Sequence, residues 1–463
     1  MNFSYLRREP GFYRRVFTLA LPVVLQNLIT TSLGFMDTFM VGLVGQEQMS
    51  AVTVANVPIY IIQLIVFGLQ SGSRVLISQF WGRGDRESIN RVMGIGFFVA
   101  GGISTLCALT MGLFPRQVLM LITDNARLVE LGTSYIRIVG FSYILNSLSS
   151  IYIGMQQSIE NPRFGMTVFA ISTVCNTVGN YILIFGKLGL PALGITGAAI
   201  ATFSSRVVEF VISLVYALHC KQMPLLPACI LRPGKATFRS FVKFSTPVLL
   251  NETLWGTGTS LYTVIMGHMA GSTDLISAYT VAGSIDKLST AGIYGIANAA
   301  AAAVIVGKEV GMGGKNAYPI GQALTFVAFC IGFGVAIAEQ LLFWLVLKPH
   351  VLPLFSMTAA SASLCVTMMI CYSISAPLHA FATTGIVGVL RGGGDVRIAM
   401  LIDVLPLWCF TLPLLVLLGL VLHAPIAIFC FIMATESALK VPFGLHRIRS
   451  GKWIHDVTQD LNA

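Results

Sequence analysis

The sequence predicts an all-α integral membrane protein, with twelve transmembrane helices in two pseudo-symmetric six-helix bundles that run as a parallel repeat. Three observations carry this. Of 463 residues, 55% are hydrophobic and only 10% charged, at a mean hydropathy of +0.81, whereas a soluble domain carries about 25% charge. Apolar runs long enough to cross a bilayer recur between polar and Gly- or Pro-rich breaks. The second half of the chain repeats the pattern of the first.

The first run, VFTLALPVVLQNLITTSLGFMDTFMVGLV (16 to 44), exceeds the roughly 20 residues that a spanning helix needs. It is too long for a signal-peptide core and ends in no cleavage site, so it stays as the first span. Pro22 removes one backbone hydrogen bond inside it and predicts a kink. The other spans of the first half lie at about 52 to 80, 92 to 115, 132 to 157, 164 to 186 and 194 to 219. Those of the second lie at about 241 to 268, 276 to 306, 317 to 347, 362 to 390, 396 to 419 and 424 to 441. The connector HCKQMPLLPACILRPGKATFRS, rich in proline and without helical periodicity, reads as a linker. This divides the chain into a bundle at 1 to 219, a linker at 220 to 240, a bundle at 241 to 441 and a tail at 442 to 463.

The charges orient the spans. The N-terminus, the even-numbered loops and the tail hold 21 of the 29 Lys and Arg. Four more (Arg116, Arg127, Lys187, Lys348) fall on the other side and four (Arg74, Arg137, Arg206, Lys287) within spans. Such a split predicts a multi-pass protein of the inner membrane with both termini in the cytoplasm. The net charge of +10 is spread over loops rather than one polar face, so a nucleic-acid partner is not expected.

The repeat is in register. ALPVVLQN (20 to 27) matches STPVLLNE (245 to 252), DTFMVG (37 to 42) matches YTVIMG (262 to 267), AVTVAN (51 to 56) matches AYTVAG (278 to 283), and Gly68 matches Gly295. Equivalent helices are six apart, so the halves share one orientation, and such repeats carry their binding sites near the bilayer midplane.

Ionisable groups inside spans are costly and mark function by default. Asp37 in span 1, Glu252 in span 7, Asp286 in span 8 and Asp403 in span 11 are the candidate acids. Their placement is not symmetric: Asp37 aligns with Tyr262 and Glu252 with Asn27. Burial disfavours the charged form of a carboxylate, so such a group can hold a proton and release it when a cationic ligand or water enters. The same Asp37 could bind Na+ if the neutral oxygens of Asn176, Asn180, Thr38 or Thr202 converge on it. Asn176 and Asn180 share a helix face at i and i+4, a spacing that equally serves helix-to-helix packing. Gln26 and Tyr262, in the matched segments of spans 1 and 7, complete the substrate- and cation-binding candidates. Other charges read as structural. Arg206 and Glu209 pair at i and i+3, Arg74 snorkels toward the interface, and Arg391 and Asp395 of RGGGD anchor a turn. Asp286 and Lys287 are neighbours that cannot share a face.

No GxxxxGK[ST] loop occurs, since GMGGKN and RPGKAT fail the pattern, so ATP is not expected as the direct energy source. No HExxH or GxSxG stands out, and catalysis has no support. The nine cysteines form no CxxC pair or Cys/His cluster, which argues against disulfides and structural zinc. No cofactor is expected beyond a coupling ion.

The chain resembles the multidrug and toxic compound extrusion (MATE) family over essentially its whole length. The segments that carry the resemblance are MDTFMVGLVGQEQMSAV, LISQFWGRGD, NYILIFGKLGLPALGITGAAIAT, PVLLNETLWGTGTSLY and VLRGGGDVR followed by Asp403. The resemblance implies two six-helix bundles in a V, a central cavity, and export of cationic or amphipathic compounds coupled to inward H+ or Na+. By motif, Asp37 corresponds to the span-1 acid tied to cation coupling and Glu252 to the span-7 acid implicated in substrate and cation binding. The family also links bending of the first helix to protonation of an acid at the position of Asp37, which makes the Pro22 kink a candidate two-state element. Two positions depart from the family pattern. Asn180 stands where some members have Asp, and span 10 holds no acid, which leaves Asp403 to take part of that role.

The expected function is therefore a monomeric multidrug efflux antiporter, not an enzyme, working by alternating access. The alternative is a flippase or exporter of a lipid-linked or polysaccharide precursor, whose anionic cargo calls for a cavity lined by Arg and Lys.

Overall fold

The computed structural model describes residues 6, 10–269, 272–293, 299–351, 358–423, 426–434 and 436–458. Almost all of them are helical, and among the described residues there is no strand, only an isolated antiparallel bridge between Gly394 and Ile454. That is the physical demand of a bilayer, where each backbone N–H and C=O must find its partner within its own segment.

The first half holds α1 (Phe12–Gly42), α2 (Gln46–Arg83), α3 (Arg86–Leu113), the short α4 (Pro115–Met120), α5 (Ala126–Ser158), α6 (Pro162–Phe185) and α7 (Gly194–His219). The second begins with the short α8 (Pro227–Leu231), then α9 (Lys235–Gly267), α10 (Ser272–Ile293), α11 (Ala299–Gly311), α12 (Ala317–Leu342) and α13 (Ala359–Phe381). It closes with α14 (Val396–Leu405), α15 (Leu412–Val416), α16 (Ile426–Ala434) and α17 (Glu436–Ser450). π-Helical turns extend α12 through Phe343–Val351 and α13 through Ala382–Leu390, and bracket α15 at Pro406–Thr411 and Leu417–Val421.

Ten helices among the described residues, counted with their π-helical continuations, are long and apolar enough to cross a membrane. The other two of the twelve spans are α9, which carries Asn251, Glu252 and several threonines, and the pair α10 and α11. Residues 294 to 298 between that pair, including Gly295, lie outside the described set.

Turn chemistry sets several joints. In LISQFWGRGD, Gly84 ends α2 at φ 75°, a left-handed conformation that glycine adopts without steric cost. Asp85 then caps α3 by accepting from the Ser88 N–H at 2.9 Å. Asn125 caps α5 in the same way, accepting from the Arg127 and Leu128 N–H groups.

Two expectations change here. The connector at 220 to 240 is not free of helix: α8 forms within it, its Ile230 backbone lies against Gly94 of α3, and α9 begins at Lys235 rather than near 241. Proline at the first positions of α8 costs no hydrogen bond, which periodicity alone does not register. The last span also continues past 441, with α17 running to Ser450.

The chain divides into two compact units, residues 25–249 and residues 1–24 with 250–462. The division falls inside α1 and inside α9, in each case two residues after a proline, Pro22 or Pro247. The opening turns of α1 accordingly pack in the second of these units, where Val16, Leu19 and Ala20 share a core with Ala301, Ile305 and Ile386. A second core of that unit gathers Met266, Phe343, Met368, Leu407 and Phe429. Trp453, after α17, is wholly buried against Gly393, where a Cβ would strike the indole ring.

Candidate functional site

In the 25–249 unit, the inward faces of α1, α2, α5, α6 and α7 enclose a cavity of about 520 Å³, within the usual range for small-molecule sites. Asp37 lines it, with Asn56, Gln63 and Gln70 from α2, Tyr135, Tyr143 and Asn146 from α5, and Thr202 and Arg206 from α7. Asn180 Nδ2 donates to Asp37 Oδ1 at 2.6 Å and to Asn176 Oδ1 at 3.0 Å, and Asn176 Nδ2 donates to Thr202 Oγ1 at 3.3 Å. The i and i+4 spacing on α6 thus relays a line of amides from α7 to the acid of α1. Asn180 Oδ1 is buried and receives no hydrogen bond from the described residues. The structure therefore unites Asp37, Asn176, Asn180 and Thr202. The side chain of Thr38 lies outside the described set.

Arg206 donates to Glu209 at 2.7 Å, the local pair expected from the spacing, and Asn146 donates to the other oxygen of this buried acid at 3.1 Å. Gln63 Nε2 donates to the Tyr143 hydroxyl at 2.7 Å, so one wall of the cavity is a set of fixed polar groups on aromatic supports.

Gln26 sits elsewhere. Its Oε1 accepts from Gln157 Nε2 at 3.0 Å, and Gln157 Oε1 accepts from Arg74 Nη2 at 3.1 Å. Arg74 is itself buried, so the expectation that it snorkels to the interface is overturned. A glutamine on another helix supplied the partner that sequence distance hid.

In the other unit the candidates form a compact ionic network. Arg391 Nη1 holds Glu252 Oε1 at 2.6 Å. Asp403 accepts from Asn251 Nδ2 at 2.8 Å and from Lys440 Nζ at 2.8 Å, and Lys440 also reaches Glu436 at 2.6 Å. The Tyr262 hydroxyl donates to Glu436 at 2.7 Å. Arg391 is 2% exposed, so the interfacial anchor expected of the RGGGD turn is instead a buried partner of Glu252. Its neighbour Asp395 binds Arg447 at 2.6 Å. Lys440, counted by its position with the loop charges, is buried as well. Two cations meet three acids here, a balance that keeps each charge paired in a medium where an unpaired one costs several kcal/mol.

Asp286, the remaining candidate, lies within hydrogen-bonding reach of Glu339 on α12, while the side chain of Lys287 lies outside the described set. The sequence reading passed over Glu339, Glu436 and Lys440. The signal was present in each case: Glu339 is a lone acid in an apolar run, and Glu436 and Lys440 stand at i and i+4 in span 12.

Residues 22–182 match the family model MatE. The chain is 25% identical over 416 residues to the multidrug resistance protein MdtK of Edwardsiella ictaluri, covering 88% of each chain. It is 24% identical over 317 residues to the probable multidrug resistance protein NorM of Thermotoga maritima, covering 68% of this chain and 67% of that one. The chain is thus similar to the MATE family. The MATE fold is equally plain in solved structures. A MATE bound to MaL6 superposes with a TM-score of 0.83 at 17% identity, covering 97% of this chain and 99% of that one. A MATE in a bent conformation superposes with 0.82, also at 17% identity, covering 100% and 99%. With ten helices long and apolar enough to cross a membrane among its described residues, the chain is a multi-pass membrane protein similar to MATE transporters.

Proposed function

We propose that this protein is a MATE-type transporter, a cation-coupled antiporter that exports cationic or amphipathic compounds as H+ or Na+ enters. The observation that carries the reading is Asp37, set in the wall of a 520 Å³ cavity and held by Asn180 at 2.6 Å. A carboxylate there is available to a cation arriving through the cavity, and the amide line to Thr202 holds it in one place. Between the ions, the geometry favours the proton. Asn180 presents an N–H to Asp37, and Asn176 spends its oxygen on Asn180, whereas a hard cation needs several oxygens turned toward it. In the other unit, Glu252 has the most exposed carboxylate of the network, at 16%, and is the group we assign to cationic substrate. The two multidrug resistance relatives support this cargo. Both termini are assigned to the cytoplasm, the inner membrane is the assigned location, and the protein is assigned as a monomer.

The alternative, an exporter of anionic precursors, would draw on Arg206 in the cavity wall, but Glu209 already neutralises that guanidinium at 2.7 Å. Purified protein in liposomes, with ethidium movement followed under an imposed pH gradient and then under a Na+ gradient, tests the reading. Movement driven by the pH gradient alone is expected. Movement driven by Na+ alone would recast Asp37, Asn176 and Asn180 as sodium ligands, and movement under neither gradient would overturn antiport.

A further inference from the structure

Arg391, which follows the π-helical turns that extend α13, stands between two acids. Its Nη1 donates to Glu252 Oε1 of α9 at 2.6 Å, while its Nη2 lies 3.9 Å from Asp403 Oδ2 of α14. The first contact is a hydrogen bond and the second is too long for one. Drawing Nη2 up to Asp403 takes a movement of about 1 Å, well within the reach of a long, flexible stem. Asp403 itself is held in place. Lys440 Nζ donates to its Oδ1 at 2.8 Å and Asn251 Nδ2 to its Oδ2 at 2.8 Å. A carboxylate oxygen accepts more than one hydrogen bond, so Asp403 can receive the guanidinium without giving up Asn251.

The accessible member of the trio is Glu252. Its side chain is 16% exposed against 2% for Arg391, so a cation that reaches the group meets the carboxylate before the guanidinium. Two cations crowded on one carboxylate repel each other, and the repulsion is strong where the dielectric is low.

We propose that Arg391 is a built-in competitor for cargo at Glu252: an organic cation binds by taking the carboxylate from Arg391, which passes to Asp403. When cargo leaves, Arg391 returns, so the emptied site is neutralised by the protein's own side chain. The strength of the Arg391 contact then sets which compounds are carried, because a cation must outbid a guanidinium to stay. This rests on the assignment of Glu252 to cationic cargo.

Binding of tetraphenylphosphonium, a permanent organic cation, to the purified full chain tests the exchange without transport. Arg391→Gln leaves an amide beside Glu252 but removes the competing charge, and should tighten binding by about tenfold or more. Equal or weaker binding in folded Arg391→Gln overturns the proposal. Glu252→Gln should weaken binding, and adding Arg391→Gln to it should change nothing further; a tightening that survives there is also a negative result. Asp403→Asn should weaken binding in the wild type, where it removes the seat for Arg391, and have no effect in Arg391→Gln. A loss in both backgrounds would mean that Asp403 attracts cargo on its own account, and the exchange is refuted. If Arg391→Gln fails to fold, NMR on isotopically labelled arginine reads the movement in the wild type. The Arg391 guanidinium signal, assigned by its absence from Arg391→Lys, must shift as tetraphenylphosphonium is added and stay still in Glu252→Gln. A signal that ignores the cation overturns the proposal. Unchanged binding in Glu252→Gln would sink the assignment of cargo to Glu252 and this inference with it. Weakened binding there beside an untightened Arg391→Gln would sink the inference alone.

Discussion

Asn180 donates to Asp37 across 2.6 Å, from α6 to α1, and through Asn176 the line continues to Thr202 of α7. A hydrogen bond to an ionised group is worth about 1.5–3 kcal/mol. Asn180→Leu keeps the bulk but removes the donor, so ion-driven efflux from liposomes should slow by about tenfold or more. An unchanged rate would mean that the amide line only packs α6 against α7.

Asp37→Asn should abolish ion-driven efflux altogether while leaving expression and melting temperature close to wild type, because Asn180 can hydrogen-bond an amide oxygen as it does a carboxylate. Retained full transport would remove Asp37 from the mechanism.

Glu252 and Arg391 make a different kind of pair, buried and ionic, at 2.6 Å. Removing one partner of such a pair costs about 3–5 kcal/mol because the other charge is stranded. Arg391→Met should therefore lower the melting temperature sharply, and adding Glu252→Gln should restore much of it. Glu252→Gln alone should also weaken apparent affinity for cationic drugs. If the double variant is as unstable as the single one, the pair is not what Arg391 stabilises.

Trp453 is wholly buried after α17, with its indole N–H donating to Ile448 O at 3.0 Å and the backbone beyond it bound by His455 N–H to Gly393 O at 2.7 Å. Trp453→Ala should cost about 3–5 kcal/mol, read as a fall in thermal stability of the purified protein. Gly393→Ala should do the same by pushing a methyl group into the ring. Unchanged melting in both would show that the tail is not docked in solution.

Tags at either terminus should be reached by impermeant reagents only from the cytoplasmic face of right-side-out and inverted vesicles. Labelling of either tag from outside would refute the orientation assigned from the Lys and Arg distribution.

The helical class and most of the spans were legible in the sequence because a bilayer imposes length and apolarity on each segment separately, and those properties are local. Asp37 was legible for the same reason: a lone acid in such a run has few innocent explanations. The partners of each charge were decided only by the tertiary structure. Glu252 is 139 positions from Arg391, and Asp403 is 152 from Asn251, so nothing local announces either pair. Arg391 and Lys440 looked like loop charges because they flank spans, yet helix packing carries both into the interior, where the cost of burial is offset by the acids that meet them. Glu339 shows the limit from the other side. Its apolar surroundings were visible in the sequence, but the packing of α10 against α12 and α13, which sets its neighbours, was not.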